Sequence, residues 1–185
     1  TTSPSARTRS RLAPRAHLKT SVWTISDSLR RVAEDSNIRI LIENETIANA
    51  RNFLAKIKAV VERGPVFRWL FPELIPAISK TRWTQDAIEF PRELDYPEAT
   101  IEVIGVGGAS PSRHYNLIKE DDLVGKEASE SPTVMQKAID QHKLAESLLN
   151  DPLDEIQCYG TRWAPFDLVQ WMLENEQQLD YFHLA

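Results

Sequence analysis

The chain has 185 residues and a mass of 21.1 kDa, and 42% of its residues are hydrophobic, which is enough for one domain with a sizeable core. Its net charge of −5 excludes a surface that is basic all over, so any contact with nucleic acid must be local. The single cysteine, Cys158, excludes an intramolecular disulfide framework, and no apolar run is long enough to span a membrane.

The first residues form a local basic stretch. Residues 1–11 are rich in serine, threonine and arginine, and the first acid of the chain is Asp27. We interpret residues 1–11 as a flexible basic arm or a truncated edge, and we place the folded domain at residues 12–185. Arg7, Arg9 and Arg11 are candidates for contact with DNA phosphates.

Residues 12–21 then form a short loop that ends in Lys19-Thr20 and leads into an apolar run. A loop ahead of a helix gathers backbone N–H groups and a positive helix end, which predicts a phosphate site. In the nucleotide-binding pattern G-x-x-x-x-G-K-[ST], the lysine reaches the outer phosphates and the hydroxyl binds magnesium. Ala13 and Leu18 occupy the two glycine positions, so an ordinary basic helix start is the alternative. The candidate nucleotide-binding residues are Pro14, Arg15, Ala16, His17, Leu18, Lys19, Thr20 and Ser21.

Hydrophobic periodicity predicts strands that alternate with helices along the rest of the chain. Helices are predicted over residues 21–33, 47–62, 131–150 and 166–176, with a shorter one within 67–78. Strands are predicted over residues 38–42, 100–106, 113–124 and 153–159, with an extended piece at 83–90. This alternation is typical of an α/β fold with a mainly parallel sheet.

Polar residues follow two of the predicted strands. Asp121-Asp122 comes at the end of one, and Gly160-Thr161-Arg162 follows the other. Ligands of open α/β sheets lie just outside the carboxyl ends of the strands, so we expect these residues and the Lys19-Thr20 loop to converge on one crevice.

Each residue of this crevice has a chemical reason to be there. Lys19 can neutralise a transferring phosphoryl group, while Thr20 and Asp121 can hold Mg²⁺, which prefers oxygen ligands. Asp122 can orient or deprotonate an attacking water. The alternative for the two acids is a solvated turn. The four histidines and the cysteine show no metal-ligand spacing, and His142 is predicted to be a core or boundary residue.

Taken in order, these pieces resemble the ATPase domain of the large terminase subunit of tailed bacteriophages. The similarity runs from about residue 12 to residue 173 and depends on the order and spacing of the motifs. The matching segments are Pro14-Arg15-x-His17-x-Lys19-Thr20, Ile40-Leu41-Ile42-x-x-Glu45-Thr46, Leu70-Phe71-Pro72-Glu73, Thr100-Ile101-Glu102 through Gly107-Gly108, His114-Tyr115 through Asp121-Asp122-Leu123-Val124, and Gly160-Thr161-Arg162-Trp163 with Asp167-Leu168.

The resemblance implies a three-layer P-loop NTPase fold of the additional-strand, RecA-like type, with ATP and Mg²⁺ as its cofactors. It implies an ATP-hydrolysing motor that drives double-stranded viral DNA into a procapsid. By position, Arg15 would contact the γ-phosphate, Lys19 and Thr20 would hold phosphates and magnesium, and Asp121 would bind the metal. Asp122 stands where many members have the catalytic glutamate. Gly160-Thr161-Arg162 would couple hydrolysis to movement.

The resemblance also implies partners and a location. The expected partners are double-stranded DNA, the portal protein and the small terminase subunit, with a homo-oligomeric ring during packaging, a monomer when isolated, and no membrane. The expected location is the cytoplasm of the infected bacterial host, at the procapsid portal. The family's nuclease domain is not expected in this chain. The alternatives are a non-hydrolysing P-loop-fold module that docks on portal or DNA, and a helicase-like translocase.

Overall fold

The computed structural model describes residues 7–14, 17–108, 112–177 and 179–183. Its strands are β1 (Arg7–Leu12), β2 (Ile40–Asn44), β3 (Ala87–Ile88), β4 (Ile101–Gly105), β5 (Leu117–Asp121), β6 (Glu155–Gly160) and β7 (Leu179–His183). Its helices are α1 (Asp27–Glu34), α2 (Ile47–Arg63), α3 (Pro65–Leu70), α4 (Lys126–Glu130), α5 (Pro132–Ser147) and α6 (Leu168–Asn175), with a π-helical segment (Thr20–Ser26) and a 3₁₀ turn (Pro72–Leu74).

The strands form one seven-stranded sheet in the order β3-β4-β2-β5-β6-β1-β7. Every neighbouring pair is parallel except β3 with β4. The predicted α/β class with a mainly parallel sheet is therefore confirmed. Strand β6 lies between β1 and β5, which brings the ends of these three strands to one edge of the sheet.

Helices cover both faces of the sheet, as a buried parallel sheet requires. On one face, α1 and α2 pack on β2 and β5 through apolar side chains such as Val32, Leu54 and Ile57. On the other face, α5 and α6 pack on the sheet through Ala138 and Met172. The sheet thus forms the middle layer of three.

Polar caps begin three of the helices. The Thr46 hydroxyl accepts a hydrogen bond from the Asn49 amide (3.3 Å) at the start of α2, as its position before an apolar run predicts. Ser131 caps α5 in the same way, and Asp167 caps α6 by accepting from the Gln170 amide (3.1 Å). The predicted helices are confirmed, with ends that differ by a few residues.

The interpretation of the first residues as an arm is wrong for residues 7–11, because Arg7–Leu12 is a strand inside the sheet. Its alternate residues Thr8 and Ser10 are buried, whereas Arg9 forms an ion pair with Glu155 (3.3 Å). Arg11 likewise pairs with Asp180 (2.7 Å). Arg9 and Arg11 are thus neutralised by acids far along the chain.

Two further elements lie where the sequence predicted none. Helix α4 is a single turn that directly precedes α5, and β7 is a half-exposed edge strand beside β1. Among the described residues, every helix is too short or too polar to cross a lipid bilayer.

Candidate active site

Three strand ends meet at one side chain, that of Lys19. Its Nζ donates to Oδ1 of Asp122 after β5 (2.5 Å) and to Oγ1 of Thr161 after β6 (3.1 Å). The Thr161 hydroxyl in turn donates to the carbonyl of Ala13 at the end of β1 (3.2 Å). The predicted convergence of these three segments on one crevice is confirmed.

The loop places Lys19 by means of an unusual backbone conformation at Leu18. The φ angle of Leu18 is 54°, in the left-handed region that favours glycine, and its side chain is 68% exposed. The Leu18 carbonyl accepts from the Val22 amide (2.9 Å), so the π-helical segment starts directly after this turn. The glycine position of the nucleotide-binding pattern thus has a glycine-like backbone here, although leucine occupies it.

Asp121 is fully buried at the end of β5 beneath the loop. Its Oδ2 accepts from the Thr24 hydroxyl (2.6 Å), and its carbonyl accepts from the Asn44 side-chain amide (2.6 Å). Its Oδ1 is buried and accepts no hydrogen bond of ordinary geometry from the described residues. Burial raises the pKa of Asp121 to about 6, with a contribution from the charge of Asp122, while the hydroxyls of Thr24 and Thr20 act to lower the pKa.

Asp122 follows in the left-handed region, with a φ of 50°. Its amide donates to the Tyr159 carbonyl (2.8 Å) and its carbonyl accepts from the Glu45 amide (3.2 Å), which holds this turn between β2 and β6. The turn presents its carboxylate to Lys19, while the side chain of Asp122 stays 39% exposed to solvent. The two adjacent acids thus have different surroundings, one buried and one paired with the loop lysine.

An open pocket of ≈ 310 Å³ lies over this junction. Its volume is within the range of small-molecule sites. The pocket is lined by Leu18, Lys19, Thr20, Ser21, Asp122, Thr161 and Trp163.

Arg162 is not among the residues that line this pocket. Its Nε donates to Oδ2 of Asp167 (2.9 Å), and its NH2 donates to the carbonyl of Pro165 (3.1 Å). The guanidinium therefore braces the start of α6. Gly160 ends β6, and its carbonyl accepts from the Ala13 amide (3.3 Å).

Of the remaining predicted loop residues, Ser21 lines the pocket. Pro14 is half-buried, whereas His17 and Ser21 are exposed. Arg15 and Ala16 lie outside the described residues.

Two residues of the site were not predicted from the sequence. Thr24 lies four residues after Thr20 on the same face of the helical segment, a spacing that could have indicated a second hydroxyl for Asp121. Trp163 lines the pocket, and a tryptophan two residues after Thr161 is a weak signal by itself.

No protein-family model matches this sequence, and no curated protein shows significant similarity to it. The chemistry of the site is therefore inferred from its own residues.

Proposed function

We propose that the chain is a Mg²⁺-dependent P-loop ATPase domain of the kind that powers the packaging of double-stranded viral DNA. One observation carries this proposal: a loop lysine, Lys19, is held at the joined ends of β1, β5 and β6, beside the buried Asp121 carboxylate, whose Oδ1 accepts no hydrogen bond of ordinary geometry from the described residues. A cation at such a point stabilises a bound phosphate, and Mg²⁺ takes carboxylate oxygens such as Oδ1 of Asp121 as ligands.

The residues of the pocket divide the chemistry among them. Lys19 would exchange Asp122 for a phosphate oxygen, because a phosphate carries more charge than a single carboxylate. Asp122 would then be free to orient or deprotonate water. Asp121 and Thr20 would hold Mg²⁺, which, when bound, would neutralise charge on the phosphates. The sequence resemblance adds Arg15 as a γ-phosphate contact.

The order of the strands supports the same proposal. Strand β6 lies between β1, which precedes the Lys19 loop, and β5, which ends in Asp121, the proposed metal ligand. This is the arrangement implied by an additional-strand P-loop fold. Thr161, which follows β6, touches Lys19 directly, so this strand could transmit a change at the phosphate to Arg162 and α6.

The wider setting is proposed from the resemblance. The domain would act on double-stranded DNA as part of a homo-oligomeric ring at the portal of a procapsid, in the cytoplasm of a bacterial host. The portal protein and the small terminase subunit would be its partners. Arg9 and Arg11 of β1 are already engaged by Glu155 and Asp180, which makes these two side chains less available to DNA.

Hydrolysis of ATP by the purified chain, with Mg²⁺, double-stranded DNA and portal protein present, tests this proposal. We expect activity in the unmodified chain and a loss of at least about 100-fold in Lys19→Ala, as for removal of a group that stabilises transition-state charge. Lys137→Ala, on the exposed face of α5, is the matched control and should keep full activity. Equal rates in the Lys19→Ala variant and the unmodified chain would contradict the proposal.

A second candidate is a non-hydrolysing module with the same fold that docks on portal or DNA. The observation that favours it is the ion pair between Lys19 and Asp122, which occupies both the phosphate-binding cation and the proposed base. Calorimetry with ATP and Mg²⁺ separates the two candidates. A docking module should give no binding heat that Asp121→Asn abolishes, whereas an ATPase should give such heat.

A further inference from the structure

A second polar cluster lies on the opposite face of β5 from Lys19 and Asp121. Glu120, His142 and Cys158 are all buried there, on β5, α5 and β6 respectively. Oε2 of Glu120 lies 2.7 Å from Nδ1 of His142 and 2.7 Å from Sγ of Cys158. Nδ1 and Sγ are 3.8 Å apart. We call these three residues the Glu-His-Cys cluster.

The register of the sheet adds a second carboxylate to this cluster. Glu43 on β2 stands directly opposite Glu120, and Glu120 stands directly opposite Cys158 on β6. The three side chains thus form a row across adjacent strands beneath α5. Gln141 of α5 donates to Oε1 of Glu43 (2.9 Å). A row of two carboxylates and a thiol in a protein interior is costly unless a cation compensates it. Burial acts to lower the pKa of His142, but the charge of Glu120 outweighs this and raises that pKa well above its ordinary value, so the His142 ring supplies such a cation when no metal is bound.

Two oxygens around the cluster are buried and accept no hydrogen bond from the described part of the chain. They are Oε2 of Glu43 and Oε2 of Glu176. Glu43 is fully buried, and burial together with the charge of Glu120 raises its pKa to about 8. Orphaned carboxylate oxygens of this kind are rare in folded proteins, and a bound ion is one of the partners that would satisfy them.

Glu176 holds His142 in the orientation that a metal ligand needs. Its Oε1 lies 2.5 Å from Nε2 of His142, so the ring carries a proton on Nε2 and turns Nδ1 toward Glu120 and Cys158. Histidines that bind metals are commonly oriented by a carboxylate on their other nitrogen. The ring is also fixed edge-on against Trp171, with centroids 5.9 Å apart.

We propose that the Glu-His-Cys cluster is a zinc site, with Glu120, His142 and Cys158 as its protein ligands. Thiolate, imidazole and carboxylate together match Zn²⁺ better than Mg²⁺ or Ca²⁺, which prefer oxygen alone. Tetrahedral zinc needs ligand atoms about 3.5 Å apart, given bond lengths of about 2.0–2.3 Å. The separation of Nδ1 and Sγ already meets this, and the Glu120 carboxylate would move by less than about 1 Å.

The protons of the site balance on binding. Zn²⁺ would form bonds to Sγ, to Nδ1 and to a carboxylate oxygen of Glu120, and it would displace the proton on Sγ and the one between Nδ1 and Glu120. These protons would leave to solvent. A small cavity of ≈ 30 Å³ adjoins the cluster, since Glu120 and Cys158 line it together with Asp122 and Thr161 of the candidate active site. The inference does not depend on the proposed ATPase activity.

Zinc binding to the purified full chain tests the proposal. The chain is stripped with a chelator, loaded with one equivalent of Zn²⁺, passed through gel filtration and analysed by native mass spectrometry. Loading with Co²⁺ in parallel reports the ligands, since a thiolate gives a sulfur-to-cobalt charge-transfer band. We expect one zinc per chain and this band. We expect at least about 100-fold weaker binding for Cys158→Ser, and about 10- to 100-fold weaker binding for Glu176→Gln, which changes only the orienting carboxylate.

Two matched controls locate the site. His114→Gln alters an exposed histidine, and Asp121→Asn alters the magnesium ligand on the other face of β5, so both should retain zinc in full. No zinc on the folded, unmodified chain would overturn the proposal and leave a hydrogen-bonded network only. Zinc uptake that Cys158→Ser leaves unchanged, or a cobalt spectrum without the thiolate band, would overturn it as well.

Discussion

The two faces of β5 carry buried charged groups, and these groups differ in how completely their hydrogen bonds are satisfied. On the face toward α1, Lys119 Nζ donates to Asp27, to Gln157 and to the Trp23 carbonyl, each at 2.7 Å. On the opposite face, Glu120 meets His142 and Cys158, with orphan oxygens close by. Consecutive residues of one strand thus enter two chemically distinct environments.

This difference shows how strand alternation separates functions that are adjacent in sequence. Residues i and i+2 of a strand share a face, so Lys119 and Asp121 both face the helical segment that follows the loop. Glu120 faces α5 and α6. One strand end can therefore contribute to a candidate phosphate site and to a proposed zinc site without the two competing for a ligand.

The largest effect is expected on the α5 face. Replacing His142 with alanine leaves Glu120 and Glu176 buried without their shared partner, and this should lower the free energy of unfolding by about 3–5 kcal/mol. Urea unfolding followed by circular dichroism measures the change. His114→Ala, at an exposed position, should change stability by less than about 0.5 kcal/mol. Similar losses in the two variants would mean that the cluster carries no special interaction.

On the α1 face, Lys119→Met should cost less, about 2 kcal/mol, because Asp27 keeps Arg30 as a second partner and is partly exposed. The double variant Lys119→Met with Asp27→Asn removes the charge of the carboxylate that has lost its lysine partner and should recover part of this loss. Urea unfolding of the single and double variants gives the coupling energy. A double variant less stable than the sum of the single changes would contradict the pairing.

Magnesium binding should depend on pH through Asp121. Protons and Mg²⁺ compete for the same carboxylate, and its pKa is raised from 3.8 to about 6. Affinity for Mg²⁺ should therefore be constant above about pH 6 and fall about tenfold per pH unit below it, whereas an ordinary aspartate would retain affinity down to about pH 4. Calorimetric titration of Mg²⁺ with nucleotide between pH 5 and pH 8 measures the profile, with Asp121→Asn as the control.

The smallest effect is expected at Leu18. In Leu18→Gly, glycine removes the strain of the left-handed backbone but makes the unfolded chain more flexible. The removal of strain is the larger effect, so this change should raise the free energy of unfolding by about 0.5 kcal/mol. Leu18→Val places a β-branched residue at a φ of 54° and should lower it by about 1 kcal/mol. Thermal unfolding of both variants tests the sign. Stabilisation by valine would contradict the assigned conformation.

The sequence predicted the parts of the fold that depend on local pattern. Strand β2 is an apolar run, and α2 has helical spacing of its apolar residues and a cap at Thr46. Both patterns can be recognised from a few neighbouring residues. Strand β1 was not predicted, because arginines alternate with small residues there. The acids that pair with Arg9 and Arg11, Glu155 and Asp180, are far away in sequence. Strand β7 is largely exposed, so its sequence likewise lacks the alternation of apolar and polar residues that predicts a strand.

The candidate active site was predictable because strand ends of a parallel sheet meet at one edge. That rule placed Lys19, Asp122 and Thr161 together before any distance was known. The Glu-His-Cys cluster was not predictable in the same way. His142 and Cys158 come from different elements and show no ligand spacing, so only the pairing of β5 with β6 and the packing of α5 bring them together.

A crystal structure of the chain with Mg²⁺ and a non-hydrolysable ATP analogue tests the central claim most directly. We expect Nζ of Lys19 to leave Asp122 for an oxygen of the outer phosphates, and the metal to lie beside Oδ1 of Asp121 and the Thr20 hydroxyl. A nucleotide bound elsewhere, with the Lys19–Asp122 ion pair intact, would contradict the claim that this loop binds phosphate.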